Sequence, residues 1–97
     1  MVLTSTGGSD SRKPTHHPRT ASRIFGGEAV VISPAENLVR MFNVVGSRIW
    51  ALADGTRTMD QIAEALIEEF EVDSPHARAS VAAFVDELIA KEMLSWA

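Results

Sequence analysis

The chain has 97 residues, 45% of them hydrophobic, enough for one core and too few for two. It contains no cysteine, which excludes a disulfide framework, thiolate metal ligands, thiol catalysis and iron–sulfur chemistry together. The net charge of −4 is uneven: Arg12, Lys13, Arg19 and Arg23 against Asp10 leave residues 1–23 at +3, so the remainder stands at −7.

A body this acidic is repelled by phosphate backbones, and only the basic N-terminal segment would attract them. No apolar run approaches the roughly 20 residues of a membrane span. The opening Met1 to Gly8 lacks the basic-then-apolar order of a signal peptide, so a cytoplasmic protein without a membrane partner is expected.

Residues 1–21 are rich in Ser, Thr, Gly, Pro and basic side chains and poor in apolar ones, which predicts a disordered basic tail before a single domain over 22–97. Arg23-Ile24-Phe25 and Glu28 to Ser33 are β-favouring runs on either side of Gly26-Gly27, the pair that a two-residue hairpin with positive φ requires. Pro34-Ala35-Glu36-Asn37 signals a turn, after which Leu38 to Phe42 reads as a third antiparallel strand. That strand carries apolar side chains on both faces, Leu38 and Phe42 on one and Val39 and Met41 on the other. Burial on both sides, through a homodimer, and an open edge that receives a peptide are both compatible with this pattern.

Three helices follow. Asn43 is a favoured N-cap, and Val45, Ile49, Trp50, Leu52 and Ala53 recur at helical spacing until Asp54-Gly55. Trp50 belongs to the apolar side, with an indole N–H that needs a partner. Thr58 to Gln61 has the form of a capping box, and Met59, Ile62, Ala63, Leu66, Ile67 and Phe70 form one stripe. Ser74-Pro75 reads as an N-cap and first-turn proline, and Ala77, Val81, Phe84, Val85, Leu88 and Ile89 carry a last helix to about Met93. The order of elements predicts an α+β domain of the winged helix-turn-helix kind, a three-stranded antiparallel sheet followed by three helices.

The chemistry-bearing residues are few. His16-His17 lie together without a third ligand at fixed spacing, so no metal site is expected. His76 has neither nucleophile nor carboxylate at a spacing that suggests a triad. Glu68, Glu69, Glu71 and Asp73 lack the alternating ligands and glycine of a calcium loop. Neither glycine pair is followed by the spaced glycines or lysine of a phosphate cradle. No catalytic residue and no cofactor are indicated, and a binding protein rather than an enzyme is expected. As a DNA-reading helix the last one offers Arg78 and Lys91 against Asp86, Glu87 and Glu92, which is poor chemistry for base edges.

The run Phe42-Asn43-Val44-Val45-Gly46-Ser47-Arg48-Ile49-Trp50-Ala51-Leu52, followed by Asp54-Gly55-Thr56-Arg57-Thr58, resembles the central signature of the PqqD-like family. The similarity continues through Ile62, Leu66, Val72-Asp73, Ala77, Val81, Phe84, Val85, Leu88 and Met93-Leu94, covering about residues 24–95. Members are precursor-peptide recognition elements of pathways that make ribosomally synthesised, post-translationally modified peptides.

The resemblance implies that a leader peptide adds as a strand beside Leu38 to Phe42 and lays its side chains against the last helix. A partner enzyme then does the chemistry; in pyrroloquinoline quinone synthesis it is a radical enzyme using S-adenosylmethionine. Carried over position by position, the peptide contacts would be Val39, Arg40, Met41, Val81, Phe84, Val85 and Leu88. Two departures are a serine at Ser80, where the family often has an acidic residue, and Glu92 in place of a glycine, which implies a less easily formed left-handed helix stop. The competing readings are a winged-helix DNA-binding or regulatory protein that uses the basic tail, and a dimerisation module.

Overall fold

The structure, a computed structural model, describes residues 10–33 and 37–97. Its elements run β1 (Pro14–His16), β2 (Ala21–Phe25), β3 (Glu28–Ser33), β4 (Leu38–Met41), α1 (Val44–Leu52), α2 (Met59–Phe70), α3 (Ser74–Ala90) and β5 (Leu94–Trp96). Strands β2, β3 and β4 form an antiparallel sheet in that order, as expected for an α+β domain of three strands and three helices. The β2–β3 hairpin turns through Gly26 at φ 59° and Gly27 at φ 84°, the left-handed pair predicted for it. Of the second turn, residues 34–36 lie outside the described residues.

Register sorts the sheet's two faces. Val31 pairs with Ser22 and Arg40, and Ala29 with Ile24, so these share the face toward the helices; Val30 with Met41 and Ile32 with Val39 share the other. The inner face contributes Ala29 and Val31 to the core, whose bulk comes from Ile49, Trp50, Ile62, Leu66, Val81, Val85, Leu88, Met93 and Leu94. The Trp50 indole N–H finds its partner in the Ser22 hydroxyl at 3.0 Å. Ser47, buried under the sheet, accepts from the Ala29 N–H and donates to the Phe42 carbonyl, tying α1 to β3 and to the end of β4.

Helix starts follow local chemistry. Asn43 accepts from the Gly46 N–H at 2.8 Å. Thr58 and Gln61 form both bonds of the predicted capping box. On α3 the cap is one residue earlier than expected: Asp73, not Ser74, accepts from the His76 N–H, and Pro75 falls within the first turn. The helix also stops earlier, at Ala90, in a Schellman arrangement in which Met93 N–H donates to the Leu88 carbonyl and Glu92 N–H to that of Ile89. Glu92 takes the left-handed conformation there at φ 59°, so the stop forms without glycine, held by burial of Met93 beside Leu88.

Residues 10–21 correct the expectation of a disordered tail over 1–21; the part before Asp10 lies outside the described residues. Strand β1 pairs antiparallel with β5, Pro14 opposite Trp96 and His16 opposite Leu94. The His16 ring stacks on Trp50 at 3.9 Å and its Nε2 donates to the Trp50 carbonyl at 2.7 Å. Backbone bonds from Gly55 to Pro14, from Met59 to Arg12 and from Ala97 to Lys13 continue the seam, and the Arg12 guanidinium lies 4.2 Å from the Trp96 ring centroid. The segment is polar in composition, and its order comes from partners 34 to 84 positions away in sequence, which composition does not register.

Candidate functional site

Strand β4 lies at one edge of the sheet, with β3 on one side and no strand on the other among the described residues. The Phe42 N–H donates to the Ala29 carbonyl at 2.9 Å, which makes these two a hydrogen-bonded pair one step beyond the Val30–Met41 pairing. Alternation along an antiparallel ladder then turns the backbone groups of Leu38 and Arg40 toward β3 and those of Val39 and Met41 outward. Two residues therefore offer N–H donors and carbonyl acceptors in line along an open edge.

The side chains of the same two residues are the most exposed large apolar groups of the described chain, Val39 at 66% and Met41 at 70%. With Ile32 and the half-buried Val30 they make an apolar strip on the sheet face away from the helices. The reading of β4 as buried on both sides therefore does not hold within one chain.

On the inner face, β4 looks across a groove at α3. Phe84 meets Phe42 edge-on at 5.0 Å between ring centroids. Farther along, Arg40 Nη2 donates to Glu87 Oε2 at 3.3 Å, and Lys91 Nζ donates to the same oxygen at 3.1 Å. The Lys91 ammonium first, and the Arg40 guanidinium next, hold the Glu87 carboxyl below its ordinary range. Gly46 lets α1 approach this wall closely: a Cβ there would stand 3.0 Å from Phe84 Cε2, so the ring would have to give way. Past Phe84, a cavity of about 200 Å³ opens between Val45, Leu66, Phe70, Val72, His76 and Ser80.

Of the seven residues expected to touch a peptide, the structure brings Val39, Arg40, Met41 and Phe84 to this edge and groove. It places Val81, Val85 and Leu88 elsewhere: all three are buried in the core. On α3, Glu87 meets Arg40 of β4 and Phe84 meets Phe42 just past its end, and spacing by four puts Ser80 and Lys91 on their stripe. The family resemblance carried Val81, Val85 and Leu88 over as contacts together with Phe84, and the structure uses these three to hold the helix on the domain while Phe84 stands on the other stripe. The signal that could have separated them is amphipathic phase, since Ser80, Phe84, Glu87 and Lys91 mix one aromatic with polar groups as a half-exposed stripe does.

The other candidates are engaged structurally. His16 packs on Trp50, His17 Nδ1 accepts from the Arg19 N–H at 3.2 Å, and His76 pairs with Asp73 at 2.8 Å. Among the described residues no group of three or more His, Cys, Asp or Glu could hold a metal ion, and no helix is long and apolar enough to cross a membrane.

Comparison with known proteins bears on the same region. The family model described as coenzyme PQQ synthesis protein D (PqqD) matches residues 28–94, which span β3, the β4 edge and all three helices. The fold is similar to a solved structure described as TbiB1 in complex with the TbiA(beta) leader peptide, with a TM-score of 0.77 and 26% sequence identity, covering 84% of this chain and 94% of that one. No curated protein sequence matches the chain.

Proposed function

This chain belongs to the PqqD family, and from that premise we propose that it captures the leader of a ribosomally made precursor peptide by strand addition at β4. It then presents the peptide to a modifying enzyme. The observation that carries this reading is the coincidence, on one strand, of outward-facing backbone groups at Val39 and Met41 with exposed apolar side chains at the same positions. An open apolar edge is an aggregation hazard that proteins ordinarily cover, and a peptide strand satisfies both its hydrogen bonds and its apolar surface. The structural neighbour TbiB1, complexed with a leader peptide, supports the same use of the fold.

In this reading the protein binds and positions, and the covalent chemistry belongs to the partner, which in the pyrroloquinoline quinone branch of the family is a radical enzyme using S-adenosylmethionine. The leader lies along β4 with alternate side chains directed at the Phe84 wall of α3. No cofactor of the chain's own enters the proposal, and the acidic body makes nucleic acid a poor partner.

The test is an amide-resolved NMR titration with a synthetic leader taken from a short open reading frame beside the gene. Shifts concentrated in residues 38–42 and at Ser80, Phe84 and Glu87 are expected, and saturating leader without shifts there would refute strand addition. Met41→Pro sharpens it, because the Met41 N–H faces outward and its loss spares the ladder to β3. A folded Met41→Pro protein is expected to bind leader at least about tenfold more weakly, the value of roughly one lost hydrogen bond and a ring in the path of the incoming strand.

A further inference from the structure

Strand addition at β4 fixes which side chains of the captured peptide meet which groups of the groove. A residue paired with Val39 or Met41 shares their outer face, and the residue between them, opposite Arg40, points into the groove. Its Cβ would lie about 5 Å from that of Arg40, within reach of the guanidinium for Asp or Glu.

We infer that the peptide this edge selects carries a carboxylate at the position facing Arg40, with apolar side chains two residues before and two residues after it. The inference rests on the strand-addition reading and names the chemistry of its ligand.

Four observations support it. The Arg40 side chain is 28% exposed and makes one hydrogen bond among the described residues, a long one of 3.3 Å to Glu87, from a group with five donors. Glu87 keeps the shorter 3.1 Å bond to Lys91 when Arg40 turns to the peptide, so the exchange strands no charge. The Phe42 ring lies 5.7 Å from the guanidinium and Phe84 stands beyond it, an apolar wall that excludes water from one side and strengthens a charge-assisted hydrogen bond formed there. The positions flanking Arg40 on the same face are Leu38 and Phe42, which favour apolar partners.

The balance of −7 over residues 24–97 sharpens this selectivity. Acidic peptides are disfavoured over most of the surface, so a single carboxylate is accepted where Arg40 stands and penalised elsewhere.

The experiment is selection of a random twelve-residue displayed peptide library against the full chain and against Arg40→Glu. For the wild-type protein the expected result is one Asp or Glu at a fixed place in an apolar frame, and for Arg40→Glu a Lys or Arg at that place. The synthesised wild-type consensus should bind about fivefold more tightly than its version with the acid replaced by Ala, and the difference should vanish with Arg40→Gln, whose fold is checked by circular dichroism. Enriched peptides with no acidic position, or the same acidic position for both proteins, would overturn the inference and leave peptide capture standing. If the wild-type protein enriches no peptide, strand capture itself fails and the inference goes with it.

Discussion

Helix α2 and strand β4 are built from similar side chains and use them in opposite ways. In α2, Ile62 and Leu66 sit at 0% and 1% exposure, packed between the other helices. In β4, Val39 and Met41 stand open beside backbone groups that no described strand pairs. Burying an aliphatic side chain stabilises a fold by roughly 1.5–3 kcal/mol, so side chains left out of the core contribute little to stability and need another reason to be there. The helices account for why the chain folds, and β4 leaves apolar side chains and backbone groups uncovered among the described residues.

The contrast is broken most severely from the helical side. Ile62→Ala should cost about 2–5 kcal/mol, because Ile62 is fully enclosed and the cavity left behind can close only in part. Urea unfolding followed by circular dichroism would read this as a lowered midpoint, and a loss below about 1 kcal/mol would show that the core is not packed as described.

Residues 10–17 make an intermediate case, polar where β4 is apolar and yet tied down. His16→Ala removes the stack on Trp50 and the bond to its carbonyl, and should cost about 1–2 kcal/mol in the same assay. A solvated tail would give a shift within about 0.5 kcal/mol, so this variant distinguishes the β1–β5 seam from the disordered segment that composition suggests.

The smallest expected effect on stability belongs to β4 itself. Val39→Thr keeps a β-branched side chain at an exposed position and should move the unfolding midpoint by no more than about 0.5 kcal/mol. Leader binding should nonetheless weaken, since the hydroxyl replaces part of the apolar strip that meets the incoming strand. Equal losses of stability and binding would mean that Val39 serves the fold and not the ligand.

Much of this was legible in the residues. Gly26-Gly27, Asn43 and the Thr58–Gln61 box act through bonds within four positions, so their turn and caps could be located without the rest of the molecule. The three apolar stripes likewise define faces that must be buried, and thereby the number of helices.

The groove was only half legible. Val39, Arg40 and Met41 came from the family resemblance, beside a strand whose apolar side chains alternate over both faces, but on α3 the choice between the stripe of Val81, Val85 and Leu88 and that of Ser80, Phe84 and Glu87 depends on where the sheet lies.

What the sequence by itself determined is local: the order of the three sheet strands and three helices, the hairpin, the caps of α1 and α2 and the acidic balance of the body, all set by neighbouring residues or by sums over the chain. The pairing of β1 with β5, the left-handed stop at Glu92, the buried side of α3 and the meeting of Arg40 with Glu87 were decided only by the tertiary structure. Each of these depends on groups distant in sequence or on packing at an element's end, and a pattern read along the chain carries no term for where the chain returns.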